Sequence, residues 1–177
     1  MYSFFDINKK YPENVYFINL KDLYDLYPDV SPKSREYLIV KEQKVVFIER
    51  IGWPLPDGNP HDLRAADYDD WQLNGDLLYW SDTIQAPIEI SSMGIRVDKN
   101  SLSDQLNYMG RNNVIFEKCE YYKDIMNKKV PYTIGGGIGQ SRLCMLILQK
   151  RHIGEVQASV WPEEMIDECQ RNNIELL

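Results

Sequence analysis

The stretch GDLLYWSDTIQAPIEISSMGIRVD, residues 75–98, decides the fold class of this chain. It contains two runs with the composition of strands, 75–82 and 87–98, and only four residues separate them. Such a short connection predicts an antiparallel hairpin, because parallel strands need a crossover of a dozen or more residues. The hairpin excludes a parallel βαβ unit at this point in the chain.

The segments around the hairpin predict a mixture of helices and strands. Ser31 is a good N-cap and Pro32 suits the first helical position, so we expect a helix over 31–43. The helix predicted at 139–150 is apolar on nearly all faces after Arg142, and we expect it to be buried. Further helices are predicted at 21–27, 100–110, 114–129 and 162–172, strands at 14–20, 44–50, 131–134 and 154–161, and a long loop at 51–71. The expected fold class is α+β, a single domain over residues 1–177 with a mostly antiparallel sheet flanked by helices.

The bulk composition narrows the possible functions. The chain has 177 residues and a net charge of -7, which disfavours general binding to nucleic acid because such binding needs a basic surface. It has neither an apolar run long enough to span a bilayer nor a secretory leader at Met1, so we expect a cytoplasmic protein without a membrane partner. The three cysteines are widely spaced, which disfavours a disulfide framework or a zinc site, and we expect each to be buried or half-buried.

The glycine-rich stretch TIGGGIGQSRL, residues 133–143, is the clearest candidate for a binding site. Glycines allow another group to approach the backbone closely, and the forked guanidinium of Arg142 suits phosphate or carboxylate. The spacing matches neither the dinucleotide fingerprint nor a P-loop. The stretch therefore predicts a site for an anion or a flat ring. The alternative is a tight strand-to-helix turn with a surface arginine.

Two carboxylates form a second candidate site. Asp76 and Glu89 lie on the neighbouring strands of the hairpin, and carboxylates held close together repel unless a cation joins them. Mg²⁺ shared with substrate phosphates is a common solution, although two solvent-exposed acids explain the spacing equally well. Glu89 and Arg96 are separated by an odd number of residues, so a bulge at Ser91–Ser92 or at Gly94 is needed to place both on one face.

The acidic segment HDLRAADYDDW, residues 61–71, is less specific. Asp67, Asp69 and Asp70 could line an amine or metal site, but the composition favours a solvated acidic loop. His61 could act as a base, yet a loop histidine beside an aspartate is expected at the surface, and His152 is expected to be structural.

Five segments in the same order carry a family resemblance: RAADYDDW, LNGDLLYW, EISSMGIRVD, TIGGGIGQSRL and HIGEVQASVWPEEM. Together they resemble the C-terminal half of the catalytic domain of ammonia-dependent asparagine synthetase, the aspartate–ammonia ligase. That family is similar to the catalytic domains of class II aminoacyl-tRNA synthetases, closest to the aspartyl and asparaginyl enzymes. The resemblance implies an antiparallel sheet flanked by helices and usually a homodimer.

The resemblance also implies a reaction and a set of site residues. L-Aspartate, ammonia and ATP would give L-asparagine, AMP and pyrophosphate through β-aspartyl-AMP. Asp69 would lie near the attacking amine, and Arg142 would pack on the adenine and reach the triphosphate. Asp76 and Glu89 would bind the nucleotide and Mg²⁺. The other residues expected along ATP or AMP are Ile90, Ser91, Ser92, Arg96, Gly137 and Gly139.

The resemblance covers one side of the expected active site. The family's N-terminal half carries the residues that hold aspartate and an arginine for the α-phosphate, and residues 1–14 do not resemble any of them. The first hypothesis is the ligase itself, as a homodimer. The second is a truncated, non-catalytic nucleotide-binding or regulatory paralogue that pairs with a full-length homologue. An aminoacyl-tRNA synthetase paralogue is disfavoured by the net negative charge of the chain. A sheet without its other half is expected to expose an edge or an apolar patch, which favours oligomers or aggregation.

Overall fold

The hairpin at residues 75–98 forms the centre of a five-stranded sheet in a computed structural model that describes residues 12–111 and 119–177. The strands lie in the sheet in the order of the sequence: β1 Tyr16–Asn19, β2 Val45–Glu49, β3 Asp69–Ser81, β4 Ala86–Arg96 and β5 Ile134–Ile138. Only β1 and β2 pair in parallel, and every other neighbouring pair is antiparallel. The prediction of an α+β fold with a mostly antiparallel sheet is therefore confirmed.

Six helices flank the sheet in the described residues. They are α1 Leu20–Leu26, α2 Pro32–Gln43, α3 Lys99–Tyr108, α4 Glu120–Met126, α5 Gln140–Ile147 and α6 Glu163–Arg171, with one turn of 3₁₀ helix at Ile153–Glu155. The hydroxyl of Ser31 accepts a hydrogen bond from the amide of Ser34, so the predicted N-cap of α2 is confirmed. In the described residues, no helix has the length and apolar character needed to cross a membrane.

Several local predictions were wrong. The strand expected at 131–134 lies instead at residues 134–138, where the glycines pair with β4 as strand β5. No strand forms at 154–161, where a 3₁₀ turn is capped by His152, whose ring packs edge-on against Trp161. The start of the helix predicted at 114–129 lies outside the described residues, and α4 begins at Glu120.

Burial also departs from two expectations. Helix α5 buries Met145 and Leu146 but leaves Ile147 48% exposed, because only one side of the helix packs against the sheet. Cys144 on the same helix is exposed, Cys119 is half-buried and Cys169 is buried, and all three are free thiols.

Three apolar clusters hold the layers together. The largest lies between helices α1 and α2 and strands β1 to β3, a second joins α3 and α4 to Trp71 below the long loop, and a third joins α5 to β4. Helix α2 packs against β2, β3 and β4, and α5 packs against β4. Side chains of β4 can therefore meet side chains from both helices.

Candidate functional site

The pairing register places the polar residues of the hairpin on one face of the sheet. Asp76 faces Ser92, Asn74 faces Gly94 and Asp69 faces Arg96, and residues paired across strands project to the same face. We call this surface the polar face and define it by the cross-strand rows that contain Asp76, Asn74 and Asp69. Four residues of the expected site, Asp69, Asp76, Ser92 and Arg96, thus lie on it together.

Arg64 from the long loop neutralises Asp76. It forms a close salt bridge to Asp76 Oδ2, lies 3.3 Å from the Ser92 hydroxyl oxygen and 3.7 Å from an Asp62 carboxylate oxygen. Asp76 is buried, and its Oδ1 atom has no hydrogen-bond partner in the described residues. A buried carboxylate oxygen without a donor favours an additional positive group at this point. The sequence contained no signal that Arg64, twelve residues before Asp76, would become its partner.

Arg96 forms a second ion pair on the polar face. Its guanidinium pairs closely with Asp69, donates to the Tyr68 hydroxyl at 2.9 Å and stacks on the Tyr68 ring, 3.8 Å from the centroid. Burial lowers the pKa of Arg96, but the hydrogen bond and the charge of Asp69 raise it, and the pKa ends above its ordinary value. The Arg96 guanidinium is therefore a fixed cation with a defined orientation.

A bulge in β4 brings Glu89 to the polar face. Leu77 faces Ser91 whereas Leu78 faces Glu89, so Ile90 is an extra residue in the ladder. The requirement for a bulge between Glu89 and Arg96 is confirmed, but its position is Ile90 and not Ser91–Ser92 or Gly94. Because of the bulge, Glu89 pairs with Leu78, which lies two residues after Asp76 on β3 and projects to the same face. Glu89 therefore shares a face with Asp76.

Glu89 is paired with Arg142 in a setting that is open to solvent. Arg142 donates to Glu89 Oε1 at 3.0 Å, and the two side chains are 51% and 38% exposed. Exposed ion pairs contribute little stability, so a bound anion can compete for this guanidinium at small cost. The pair lies in a groove of about 440 Å³ between α2, β4 and α5, within the size range of small-molecule sites.

Each glycine of β5 has a different neighbour. A Cβ at Gly135 would lie 2.2 Å from the Arg96 guanidinium, and a Cβ at Gly136 would lie 2.7 Å from the Met93 Cβ on the opposite face. At Gly137, which faces Ser92, a Cβ would meet nothing within 4 Å. Gly135 thus makes room for the protein's own arginine, whereas Gly137 leaves open space on the polar face. Gly139 is the N-cap of α5, and a Cβ at this position would lie 3.4 Å from Arg142 Cδ.

Ser91 projects away from the polar face. It pairs with Leu77 and Ile138, and its hydroxyl donates to the carbonyl of Gly137 at 2.9 Å. The extra residue Ile90 belongs to the apolar cluster under α5. These two predicted nucleotide-binding residues therefore support the backbone of β4 and β5 in this structure.

The acidic loop does not form a carboxylate cluster. Asp67 accepts a hydrogen bond from the Tyr122 hydroxyl at 2.7 Å, and Asp70 accepts one from the amide of Gln72 at 2.8 Å. Only Asp69 joins the polar face. His61, expected at the surface, is buried and lies 2.9 Å from a carboxylate oxygen of Glu36 on α2.

The carboxylates of the polar face are compatible with a magnesium ion. Hard oxygen ligands suit Mg²⁺, which uses one or two protein carboxylates together with substrate phosphates. Asp76 Oδ1 offers an unpaired buried oxygen, and the Glu89 carboxylate is accessible from the groove. No group of three or more histidine, cysteine or acidic side chains suited to a metal occurs within residues 12–111 and 119–177, so any ion would depend on non-protein ligands for the rest of its shell.

The fold is similar to part of the fold of solved asparaginyl-tRNA synthetases. The asparaginyl-tRNA synthetase from Pyrococcus horikoshii superposes with a TM-score of 0.56 at 18% identity, covering 85% of this chain and 38% of that chain. The Entamoeba histolytica asparaginyl-tRNA synthetase in complex with asparaginyl-adenylate superposes with a TM-score of 0.54 at 17% identity, covering 84% and 36%. At such low identity the likeness establishes the fold alone.

Sequence comparison establishes the family. The family model for aspartate-ammonia ligase matches residues 1–173. An aspartate–ammonia ligase from Malacoplasma penetrans is 51% identical over 180 residues, covering 97% of this chain and 55% of that protein. One from Lactobacillus acidophilus is 52% identical over 179 residues, covering 97% and 53%. The chain belongs to the aspartate–ammonia ligase family, and it spans about half the length of these relatives.

Proposed function

We propose that the polar face is the ATP side of an active site that makes L-asparagine from L-aspartate, ammonia and ATP. The observation that carries this proposal is the open backbone at Gly137, bordered by Asp76 and Ser92 and by the exposed Glu89–Arg142 pair. A nucleotide needs a flat open surface, fixed cations for its phosphates and carboxylates for its metal. All three requirements are met on one face of one sheet.

The cations of the site would bind the phosphates. Arg142, held only by an exposed pair, is free to turn to the nucleotide, whereas Arg96 is oriented by Asp69 and Tyr68. Asp76 and Glu89 would hold Mg²⁺, which neutralises charge that builds up between the phosphates. Removing negative charge from the phosphates favours attack by a second anion, the β-carboxylate of aspartate.

The reaction then needs two displacements at fixed positions. An oxygen of the substrate's β-carboxylate forms a bond to the α-phosphorus of ATP while the bond to pyrophosphate breaks. Ammonia next forms a bond to the activated carbonyl carbon while the bond to AMP breaks, and the excess proton leaves the new amide nitrogen. We assign Asp69 to the attacking ammonia, which it would orient as a hydrogen-bond acceptor. Its salt bridge to Arg96 fixes the position of that carboxylate on the polar face.

The decisive experiment measures nucleotide binding and AMP release. We expect MgATP to bind the chain and Arg142→Ala to weaken that binding by about 1–3 kcal/mol, the scale for one charged hydrogen-bonding partner. Arg171→Ala is the matched control, because Arg171 lies on α6 and bonds only to the Asp167 carbonyl among the bonds described. If MgATP does not bind, or if Arg142→Ala binds it normally, the proposal is wrong.

A second candidate function is a non-catalytic nucleotide-binding or regulatory module. The two candidate functions are distinguished by measuring AMP release when MgATP, aspartate and ammonium are supplied together. Release of AMP supports the ligase, whereas a higher melting temperature with MgATP but no AMP release supports the module.

We further propose that the chain works in the cytoplasm as a homodimer or paired with a full-length homologue, and that it binds neither nucleic acid nor membranes. The net charge of -7 supports the absence of a nucleic-acid partner. Exposed apolar side chains on the other face of the sheet support a protein partner, because a soluble monomer rarely leaves a large apolar surface open.

A further inference from the structure

Three side chains outside the predicted site form a continuous chain of contacts. His61 in the long loop has a side chain that is 2% exposed, and its Nε2 lies 2.9 Å from Glu36 Oε1. The Glu36 carboxylate also accepts from Lys33 Nζ at 3.0 and 2.9 Å. The Lys33 side chain is 77% exposed, whereas the Glu36 side chain is 12% exposed. The buried histidine thus fixes a carboxylate, and the carboxylate fixes an ammonium group at the surface.

Stability alone does not account for this arrangement. A lysine–glutamate pair three residues apart on a helix contributes little stability when the lysine is exposed. The His61 Nδ1 atom is buried without a partner in the described residues, and an unsatisfied buried polar atom is destabilising. Stabilisation of the surface pair is therefore a poor explanation for burying His61, which points to a role in placing the lysine.

The chain ends in the nucleotide groove. Lys33 and Glu36 line one wall of it, on α2, while Glu89 and Arg142 line the wall formed by β4 and α5. The groove therefore has a lysine–glutamate pair on one side and an arginine–glutamate pair on the other. Both cations belong to solvent-accessible pairs, so each can also contact a ligand that carries several negative charges.

Both ends of the lysine pair are charged at neutral pH. Burial lowers the pKa of Lys33, but the hydrogen bond to Glu36 and the nearby charges of Asp62 and Glu89 raise it, and the net pKa is raised. Burial raises the pKa of Glu36, but His61 and Lys33 lower it, and the net pKa is lowered. The carboxylate thus stays ionised and the ammonium stays protonated.

We propose that Lys33 is a phosphate-binding residue of the nucleotide groove and that Glu36 and His61 are its positioning residues. Lys33 contacts the β- and γ-phosphates of ATP, opposite Arg142, and so binds the part of ATP that leaves as pyrophosphate. This inference rests on the proposed function. The flexible stem of a lysine loses conformational freedom on binding a ligand, and anchoring by a buried pair lowers that loss in advance.

The test compares MgATP with AMP, because only ATP carries the two outer phosphates. We expect Lys33→Ala to lower the affinity for MgATP about tenfold and to leave AMP affinity within about twofold, as removal of one charged contact predicts. Lys33→Arg keeps the charge and should retain most of the MgATP affinity. Lys41→Ala is the matched control, because Lys41 lies on the same helix over the Tyr37 ring and outside the groove.

The positioning residues are tested by the same comparison of the affinity for MgATP with the affinity for AMP. We expect His61→Gln to lower MgATP affinity by less than Lys33→Ala does, with AMP affinity unchanged and the melting temperature showing that the chain is folded. If His61→Gln does not fold, Glu36→Gln provides the second variant, with the same expected pattern.

The outcomes separate this inference from the proposed function. If the unmodified chain binds neither MgATP nor AMP, both are wrong. If it binds both ligands while Lys33→Ala changes neither affinity, or lowers both equally, the role of Lys33 is wrong and the proposed function stands. A selective loss of MgATP binding in Lys33→Ala, retained affinity in Lys33→Arg and normal binding in Lys41→Ala together support the inference.

Discussion

The two faces of the sheet differ in how far they are covered. Antiparallel sheets usually pack an apolar face on the core and leave a polar face to solvent. Here the polar face also carries Val46, Ile48 and Leu78 of the largest apolar cluster, and along β3 it is covered by the long loop and by α2. This cover buries Asp69, Asn74 and Asp76, whereas the same face is open at Gly137. We call the opposite surface the apolar face. It is defined by residues of four strands: Phe17, Phe47, Met93, Ile95, Ile134, Gly136 and Ile138.

The apolar face is open to solvent. Exposure reaches 62% at Phe17, 79% at Ile134 and 63% at Ile138. Neighbouring residues of β4 therefore experience contrasting surroundings, because Ser92 joins a buried network while Met93 lies on the open side. Under the proposed function, the buried polar groups serve ligand binding, and the exposed apolar groups favour a protein partner. Each of the following predictions tests one part of that comparison.

The largest effect is expected when the network of the polar face loses its central cation. Arg64→Ala should destabilise the chain by about 3 kcal/mol, because the buried Asp76 carboxylate is left without a counter-charge. Urea unfolding measures the change, and Arg171→Ala on α6 is the exposed control. Adding Asp76→Asn to Arg64→Ala should restore part of the stability. A loss below about 1 kcal/mol in Arg64→Ala would show that the network is open to water.

Gly135 and Gly137 test whether the polar face is packed or open at two points of one strand. Gly135→Ala should cost about 1–3 kcal/mol of stability, because its methyl group would collide with the Arg96 guanidinium. Gly137→Ala should change stability by no more than about 0.5 kcal/mol, since no atom lies within 4 Å of its new Cβ. Thermal unfolding of both variants measures the difference. Equal losses would contradict the assignment of open space to Gly137.

Ile134 tests the apolar face. Replacing it with Asp should shift the chain from oligomers toward monomers, because a charge would then lie in the contact surface. Light scattering after size-exclusion chromatography measures the mass. Val160→Asp is the matched control, since Val160 is 96% exposed and lies outside the sheet. A wild-type chain that is already monomeric, or equal shifts in both variants, would contradict a partner on this face.

Tyr122, which donates a hydrogen bond to Asp67 in the long loop beside the polar face, is expected to have the smallest effect on stability. Burial and the hydrogen bond to Asp67 raise the pKa of Tyr122 from 10.0 to about 12. The folded chain holds this proton more tightly than the unfolded chain, so the stabilisation is complete below pH 10 and declines as pH rises toward 12. Tyr122→Phe should flatten that decline in denaturation measured against pH. Tyr132→Phe, at an exposed position, should leave it unchanged.

Predictions that depend on local pattern were the most accurate. The four-residue connection predicted the hairpin, and the Ser–Pro pair predicted the start of α2, because turns and caps are decided by a few adjacent residues. The odd spacing of Glu89 and Arg96 predicted a bulge, and only its position was wrong. The need for a bulge follows from the alternation of side chains along one strand. Its location depends on the register in which β4 pairs with β3.

Predictions that depend on distant partners were less accurate. Glycine has low strand propensity, yet residues 134–138 form β5 because β4 offers a free edge for backbone pairing. His61 was expected at the surface but is buried by its contact with Glu36, 25 residues earlier. No local feature predicted that Arg64 and Tyr68 would contact side chains of the polar face, or that Lys33 would line the groove, because these placements depend on the packing of distant elements.

By itself the sequence determined the antiparallel hairpin, the positions of most helices, the family and the residue types needed for a nucleotide site. These features depend on side-chain periodicity, chain connectivity and motifs of adjacent residues. Only the tertiary structure decided which arginine neutralises which carboxylate, which glycine faces open space and which side of the sheet remains uncovered. Those outcomes depend on long-range packing, because a charge or a cavity acquires its energy from neighbours that lie far away along the chain.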